Sequence, residues 1–268
     1  MKPRVVIALS ALTCIATVLY AHDLFVKLET YFLKPYSSVR IPILNGTFNS
    51  SENSIARDRV TAVSLASHTT VSQVPTATWN ATGDTTYLTI ETGMPGTYVF
   101  GVATRPRDFE LKASSFNEYL EHDGIPDVLA MRERDGELDK DVRERYSKHV
   151  KAVFQVGRER TDDYGKVLGY PAEIVPLDNP YSLHPGSELR VRCLVDGRPV
   201  TGQLVLAGGE HGGNEIRQRD ARTDNNGVAT FRLDSPGRWY VKFINMVPSN
   251  DGVVDYESKW ATLTFEIR

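Results

Sequence analysis

Short segments of alternating polar and apolar residues, separated by turn-forming residues, constrain the fold of this chain most. Residues 39–43 and 87–91 alternate with a period of two, and a Gly-Met-Pro-Gly turn leads into a third such segment at 97–102. Pro42 donates no ladder hydrogen bond, so we expect it on an edge strand or at a bulge. Residues 22–113 therefore predict an N-terminal β-sandwich domain.

The same β pattern returns in residues 149–268. Residues 189–195 alternate between apolar and polar side chains, which places Cys193 on the apolar face as a small core residue. A Thr-Asp-Asn-Asn-Gly turn at 223–227 precedes a further strand, and residues 260–267 predict the closing strand. This order is typical of a small immunoglobulin-like or prealbumin-like sandwich.

A helical segment is predicted between the two β-rich parts, at residues 114–148. Ser114 is expected to cap a first helix with Phe116 and Leu120 on one face, and Gly124 to end it. The mixed-charge stretch that follows is expected to be helical in its second half, as a solvated helix face. The predicted fold class is mostly β, with two immunoglobulin-like/prealbumin-like β-sandwich domains and a helical insertion between them.

The first 21 residues have the parts of a secretory signal peptide. Lys2 and Arg4 precede an apolar run that ends near Leu19, and Ala21 is the small residue at the expected cut. A retained membrane anchor is the weaker alternative, because the run is shorter than the roughly 20 residues that span a bilayer. Lipid attachment at Cys14 is a minor alternative. We expect a periplasmic or extracellular protein.

Charge and cysteine content limit the partners and the means of stabilisation. Cleavage after Ala21 leaves 247 residues with 29 basic and 34 acidic side chains, a net charge of −5. No basic cluster is present, which argues against nucleic acid as a partner. Only Cys193 remains in the cleaved chain, so no intramolecular disulfide can form and packed cores must stabilise the fold. The oligomeric state is left open.

Common catalytic and nucleotide-binding motifs do not occur in the sequence. It contains no GxxxxGK[ST] or GxGxxG loop, no HExxH, no GxSxG and no CxxC. The Asp-Asn-Asn-Gly segment at 224–227 lacks the ligand spacing of a calcium loop and predicts a plain β-turn. Glu210 and His211 lie in a glycine-rich segment that predicts a hairpin loop, with a secondary role beside a metal as the alternative.

His22 differs from the other histidines because of its position after the predicted cut. Once the chain is cleaved after Ala21, the α-amine and the imidazole of His22 form a two-nitrogen chelate that suits Ni(II), Co(II) or Cu(II), with Asp23 as a direct or supporting partner. The alternative is that His22 is an ordinary first residue. His68 and His184 are explained by turns, His122 by a helix C-terminus, and His149 is expected at a junction between helix and strand.

Several longer segments carry a family resemblance. They are AHDLF, RPRDFELKASSFNEYLEHDGI, ERYSKHVKAVFQVG, LGYPAEIVPLDNPYSLHPGSELRVRCLVDGRPVTG, RTDNNGVATFRLDSPGRWYVKFINM and DYESKWATLTFEI. In these segments the chain resembles, over nearly its whole mature length, a bacterial exported family of unknown function known as the NikM-like, nickel-uptake substrate-specific component. The resemblance implies an accessory periplasmic or cell-surface protein that binds a transition metal and delivers it to a membrane uptake complex.

One position departs from this family pattern. Family members often carry a His-Met pair in the region of the penultimate strand, where this chain has Asn245 and Met246. Asparagine is a poor ligand for such metals compared with histidine, which puts a ligand from this position in doubt, whereas Met246 suits a softer ion such as Cu(I).

Three functions stay open from the sequence. The first is an exported, non-enzymatic metal-binding accessory protein with His22 and Asp23 as metal site residues. The second is an immunoglobulin-like binding module for an envelope protein or polymer, with no role for metal. The third, which only His22 supports, is a copper enzyme with oxidative chemistry.

Overall fold

A computed structural model describes residues 22–268, so the predicted signal segment 1–21 lies outside the described residues. In chain order the elements are β1 (Asp23–Val26), β2 (Phe32–Leu33), β3 (Ser38–Gly46), β4 (Val60–Ser67), β5 (Thr70–Gln73), β6 (Asn80–Thr82), β7 (Thr85–Glu91), β8 (Gly96–Thr104), β9 (Arg107–Leu111), α1 (Ala113–His122), α2 (Pro126–Arg134), β10 (Val142–Val156), β11 (Ala172–Pro176), β12 (Ser187–Val195), β13 (Arg198–Pro199), β14 (Leu204–His211), β15 (Asn214–Arg222), β16 (Val228–Leu233), β17 (Gly237–Pro248) and β18 (Tyr256–Ile267). Short 3-10 turns span Arg57–Arg59, Asp162–Gly165 and Pro180–Ser182. Within residues 22–268, no helix has the length and apolar character needed to cross a membrane.

The predicted fold class, mostly β, is confirmed. A first sheet has the order β1-β3-β7-β6, and a third consists of β11-β12-β13 with β16 beside β12. Between them lies a ten-stranded sheet with the order β15-β14-β17-β18-β10-β8-β4-β5, in which β2 and β9 also pair with β10. Buried apolar side chains of the first and third sheets pack with those of the large sheet, and both β1 and β11 contact β10 and β18, which gives two sandwiches that share these central strands.

Strand β10 joins the two sandwiches. Its residues 144–152 pair in parallel with β18, and residues 153–156 pair antiparallel with β8. One continuous core of buried apolar side chains therefore runs through both sandwiches. The division of the chain into domains 22–113 and 149–268 with a linking segment 114–148 stays a prediction.

The predicted helix in the second half of the charged stretch is wrong, because that half belongs to β10. The helix α2 instead occupies the preceding residues. Arg143 and Arg145 of β10 pair with Glu110 and Asp108 of β9 at 2.5 Å and 2.8 Å. The charges that indicated a solvated helix face are thus cross-strand ion pairs of a sheet.

The first helix lies where it was predicted, but its N-terminal cap differs. Ser114 lies inside the first turn, and the residue at the N-cap position makes no side-chain capping bond. The carboxylate of Asp141 instead accepts a hydrogen bond from the Ala113 N–H at 3.0 Å. Gly124 follows the helix with a φ of +80°, which agrees with its predicted role as a stop. Asp141, which is distant in sequence, therefore caps the helix in place of the predicted Ser114.

Pro42 does not lie on an edge strand, because β3 is between β1 and β7. The Pro42 carbonyl accepts a hydrogen bond from the Lys27 N–H at 3.2 Å, so its nitrogen also faces the side of β1. Pairing with β1 ends at Val26, opposite Ile43. The proline is tolerated because the N–H group that it lacks would face a position beyond the end of β1.

Two predictions about the C-terminal sandwich are confirmed. Cys193 is fully buried on β12, and burial raises the pKa of its thiol. Asp224 accepts hydrogen bonds from the N–H groups of Asn226 and Val228 at 2.8 Å and 2.9 Å. The segment 224–227 is therefore an Asp-anchored β-turn between strands.

Candidate functional site

A pocket of about 480 Å³ opens at the start of β1, and we name it the His22 pocket. His22 and Asp23 line it together with Glu52 from the loop after β3, Asp123 from the end of α1 and Tyr240 from β17. The two residues predicted from the sequence thus share a pocket with the carboxylates of Glu52, Asp123 and Glu215, which come from three other parts of the chain.

A tight loop after β3 brings Glu52 to His22. The Glu52 N–H donates to the Asn45 carbonyl at 2.9 Å, and a Cβ atom on Gly46 would lie 2.5 Å from the Ser50 carbonyl oxygen. Only glycine fits this close approach of backbone to backbone. The His22 Nδ1 atom lies 3.4 Å from Glu52 Oε2, with 28 % and 48 % of the two side chains exposed. Both are accessible to a ligand that arrives from solvent.

Two carboxylates in the pocket share one buried ammonium group. Lys242 of β17 donates to Asp23 Oδ2, and its Nζ lies 4.0 Å from Asp123 Oδ1. The other oxygens of the pair, Asp23 Oδ1 and Asp123 Oδ2, are buried and accept no hydrogen bond from any described residue. A buried carboxylate oxygen without a donor is costly, so this site has unused capacity for a cation or a donor.

The protonation states of this cluster are shifted by burial. Burial, reinforced by the charge of Asp23, raises the pKa of Asp123 to about 7. Burial lowers the pKa of Lys148 to about 8 against the opposing effect of both aspartates, and the Lys148 ammonium donates to the His22 carbonyl. Burial also acts on Lys242, yet the charges of the two aspartates hold the pKa of that group above its ordinary value. Asp123 and Lys148 therefore titrate close to neutral pH.

An aromatic wall closes one side of the His22 pocket. Phe25, Phe48 and Tyr240 contact one another with ring centroids 5.0 to 5.5 Å apart. The Lys27 ammonium lies 4.3 Å from the centroid of Phe48. The wall limits solvent at the carboxylates and strengthens their electrostatic interaction with a ligand.

The prediction of His22 and Asp23 as metal ligands is not decided by these contacts and stays a prediction. Among residues 22–268, no group of three or more histidine, cysteine, aspartate or glutamate side chains has the spacing of a metal site. The side chains of the His22 pocket offer one imidazole and several carboxylate oxygens. A complete site in this pocket requires at least one donor that is not a side chain.

The other histidines have structural surroundings. His68 lies in the turn between β4 and β5 with a φ of +48°, and His122 is the last residue of α1, both as predicted. His149 does not lie at a helix–strand junction, because it is inside β10, where its Nδ1 lies 3.1 Å from the Trp260 carbonyl oxygen. Burial lowers the pKa of His149 to about 4.

Three further candidates from the sequence do not line the His22 pocket. The Asn245 amide donates to Gln203 Oε1 at 3.0 Å, and Met246 is buried in a second apolar cluster beneath α1 and α2. Glu210 forms an ion pair with Arg238 at 2.7 Å, so its charge is already used within the protein.

Four functional candidates were missed from the sequence. They are Glu52, Asp123, Lys148 and Lys242, which come from four different elements. Lys242 lies within the largely apolar strand β17, where an inward-facing lysine was an available signal, whereas Lys148 lies in β10 among other charged residues and gave none. Glu52 and Asp123 lie in loops, and nothing local to either distinguishes it from a surface acid.

Comparison with known proteins gives a family and several distant structures. The family described as a domain of unknown function (DUF4198) matches residues 19–246. This description carries no nickel or transport role, so that part of the resemblance remains a prediction. No curated protein is significantly similar to the chain.

The similar solved structures include the D0-D1 domain of intimin, with 12 % identity and a TM-score of 0.21, covering 91 % of this chain and 97 % of that one. An elastase-activated alpha-2-macroglobulin from Escherichia coli has 8 % identity and a TM-score of 0.26, covering 91 % of this chain and 20 % of that one. The human OSCAR ligand-binding domain has 12 % identity and a TM-score of 0.21, covering 92 % and 100 %. At these scores the structures say nothing about the function of this chain.

Proposed function

Since the chain belongs to the DUF4198 family, a domain of unknown function, we propose its role from its own residues. The protein is an exported, non-enzymatic accessory protein that binds a transition-metal ion, Ni(II), Co(II) or Cu(II), in the His22 pocket. The metal is cargo for a membrane uptake complex rather than a resident cofactor.

One observation carries this proposal. Asp23 Oδ1 and Asp123 Oδ2 are buried without a hydrogen-bond donor in the pocket that also holds His22. A cation would satisfy both oxygens, and the nearby imidazole supplies a nitrogen ligand that nickel, cobalt and copper accept. Glu52 supplies a further oxygen next to the ring.

The missing donor is the α-amine of His22. The described side chains alone do not form a metal site, whereas cleavage after Ala21 adds an amine nitrogen next to the imidazole of the same residue. A chelate of amine and imidazole supplies two nitrogen donors at once. The proposal therefore requires that the mature chain begins at His22, and the intact mass of the exported protein tests this step directly.

Calorimetric titration of two forms of the protein tests the metal site. One form begins at His22, and the other carries a single glycine before it. We expect Ni(II), Co(II) or Cu(II) to bind the first form at one site and to bind the second at least about tenfold more weakly, a loss of about 1.4 kcal/mol. His22→Ala should abolish tight binding, and His184→Ala, a matched control at an exposed turn, should leave it unchanged. Equal affinities of the two forms would refute the amine chelate.

A second candidate function is favoured by one surface feature. Tyr36 and Met94, two of the most exposed large apolar side chains in residues 22–268, lie on neighbouring loops, where the Tyr36 N–H donates to the Gly93 carbonyl at 3.2 Å. An immunoglobulin-like module would use such loop tips to bind an envelope polymer. Metal-free protein should then sediment with isolated envelope polymer, and Tyr36→Ser should reduce this binding. An effect of added nickel on the sedimentation would count against this alternative.

A further inference from the structure

A second pocket lies on the other side of β1 from the His22 pocket. Asp23 and Phe25 of this strand line the His22 pocket, whereas Leu24 lines the second one. Its volume is about 210 Å³, below the roughly 300 to 1,000 Å³ of sites for drug-sized ligands. We name it the arginine pocket, and its polar lining consists of Asn45, Ser54, Arg59, Thr104, Arg107, Tyr146 and Lys148.

Positive charge in a lining that contains no carboxylate distinguishes the arginine pocket. Arg59, Arg107 and Lys148 line it, and none of the lining side chains is a carboxylate. Arg59 and Arg107 form no ion pair with any residue in 22–268, whereas Arg145 on the neighbouring strand pairs with Asp108 and two further acids. Both guanidinium groups thus have no carboxylate partner among the described residues, and that of Arg59 lies 5.6 Å from the ring centroid of Tyr146.

The third cation, Lys148, is buried at the base of this pocket. Lys148 is 8 % exposed. Its backbone N–H donates to the Thr104 hydroxyl oxygen at 2.9 Å, which fixes the position of the residue on β10. The ammonium donates to the His22 carbonyl and lies 4.8 Å from the Trp260 ring centroid. An ammonium group has three donors, and its position in this lining leaves the others free to serve a ligand. Since this cation is already desolvated, an anion gains more from it than from a surface lysine.

We propose that the arginine pocket binds a small oxyanion, a carboxylate or phosphate group, held by Arg59, Arg107 and Lys148. Guanidinium groups bind such oxygens through two parallel hydrogen bonds, which gives both affinity and orientation. The Thr104 hydroxyl accepts from the backbone and keeps its own hydrogen to donate, and Ser54 adds a second hydroxyl. The ring of Tyr146, edge-on to Phe109 with centroids 5.1 Å apart, forms a rigid side of the pocket.

The oxyanion site does not depend on the proposed metal site, although both border Lys148. It needs no cleavage at Ala21, because every residue that carries it lies in β1, β8, β9, β10 or the segment after β3. The two ideas can fail separately. Loss of metal binding in the glycine-extended protein would leave the oxyanion site in place.

Calorimetry of the purified protein with inorganic phosphate and, in a second arm, succinate tests the proposal and separates the two sources of oxyanion. The buffer contains chloride as its only other anion and has low ionic strength, since screening weakens exposed charges. We expect at least one of the two probes to bind at a single site. Arg59→Gln and Arg107→Gln should each weaken this binding by about tenfold or more, since each removes charge-assisted hydrogen bonds.

Arg217→Gln is the matched control. Arg217 is an exposed arginine on β15, at the opposite end of the ten-stranded sheet from β4 and β5, and its substitution removes the same charge. It should leave the affinity for the probe unchanged. Neither Arg59 nor Arg107 is fully buried or ion-paired, so both variants should keep the circular dichroism spectrum of the parent. No saturable binding of either probe with a Kd below about 1 mM, or binding that survives both substitutions, would overturn the oxyanion site.

Discussion

Asp123 should make the stability of this protein fall as the pH rises, and Asp123→Asn should remove that dependence. The carboxyl of Asp123 is 16 % exposed in the His22 pocket, and burial together with Asp23 raises its pKa from 3.8 to about 7. The folded protein therefore holds a proton that the unfolded chain releases between these two values. Its contribution to stability is full below pH 3.8 and is lost as the pH rises through about 7.

The size of this effect follows from the shift in pKa. Each unit corresponds to about 1.4 kcal/mol, so between pH 5 and pH 8 the wild-type protein should lose about 2 to 3 kcal/mol through this group. With an urea m-value of about 3 kcal/mol/M for a chain of this size, the unfolding midpoint falls by about 0.7 to 1 M. Asparagine carries no proton to lose, so the variant should gain on the wild type by this amount across the same range.

Urea unfolding at pH 5, 6, 7 and 8, followed by circular dichroism, measures the difference between the two proteins. Asp139→Asn is the control, because Asp139 is exposed and forms no ion pair within residues 22–268. Its difference from the wild type should stay constant with pH. If the difference for Asp123→Asn is also constant within about 0.5 kcal/mol, the carboxyl is not held neutral by burial and the reasoning about the His22 pocket fails.

Other predictions concern the core. Lys151 and Glu173 form an ion pair at 3.0 Å with each side chain 1 % exposed, so Lys151→Met should cost about 3 to 5 kcal/mol in urea unfolding by leaving the carboxylate unpaired; a cost below about 1 kcal/mol would contradict this. Gly209→Ala should cost about 1 to 3 kcal/mol, because its Cβ would lie 2.2 Å from the Arg238 carbonyl oxygen, and an unchanged midpoint would show that the strands separate freely. Cys193 is fully buried and its thiol pKa is raised, so it should react with a thiol reagent only as fast as the protein unfolds; fast labelling under native conditions would contradict its place in the core.

The sequence predicted the β-rich architecture because its strands follow local rules. Alternation around Cys193 and the Asp224 turn depend on neighbouring residues, and both are confirmed. The segment that became β10 was misread because Glu144 and Lys148 occupy buried positions that alternation reserves for apolar residues. Two of their polar partners, Ser258 for Glu144 and the His22 carbonyl for Lys148, are more than 100 residues away in sequence. Local patterns cannot reveal such compensation.

The candidate site was predictable only where one residue carries its own chemistry. His22 was identified because an amine and an imidazole meet in a single residue at the predicted cut, and Asp23 followed as its neighbour. Asp123 was not identified, because its raised pKa is created by burial and by the charge of Asp23, which lies on another element. Arg59 and Arg107 were missed for the same reason. Only the folded structure shows that they line one pocket and that no carboxylate lines it with them.

The central position of β10 has a consequence for the order in which the molecule assembles. Its parallel partner β18 is the last strand of the chain, and Thr262 and Thr264 of β18 donate to carbonyls of β1, the first strand. Contacts of such long sequence separation form late and slowly, because a large loop must close first. The middle of the large sheet, where β18 lies between β10 and β17, should therefore form only once residues 256–267 are available. A ribosome-bound chain that ends before residue 256 should be cleaved by protease across both halves, and a protected N-terminal half would contradict this order.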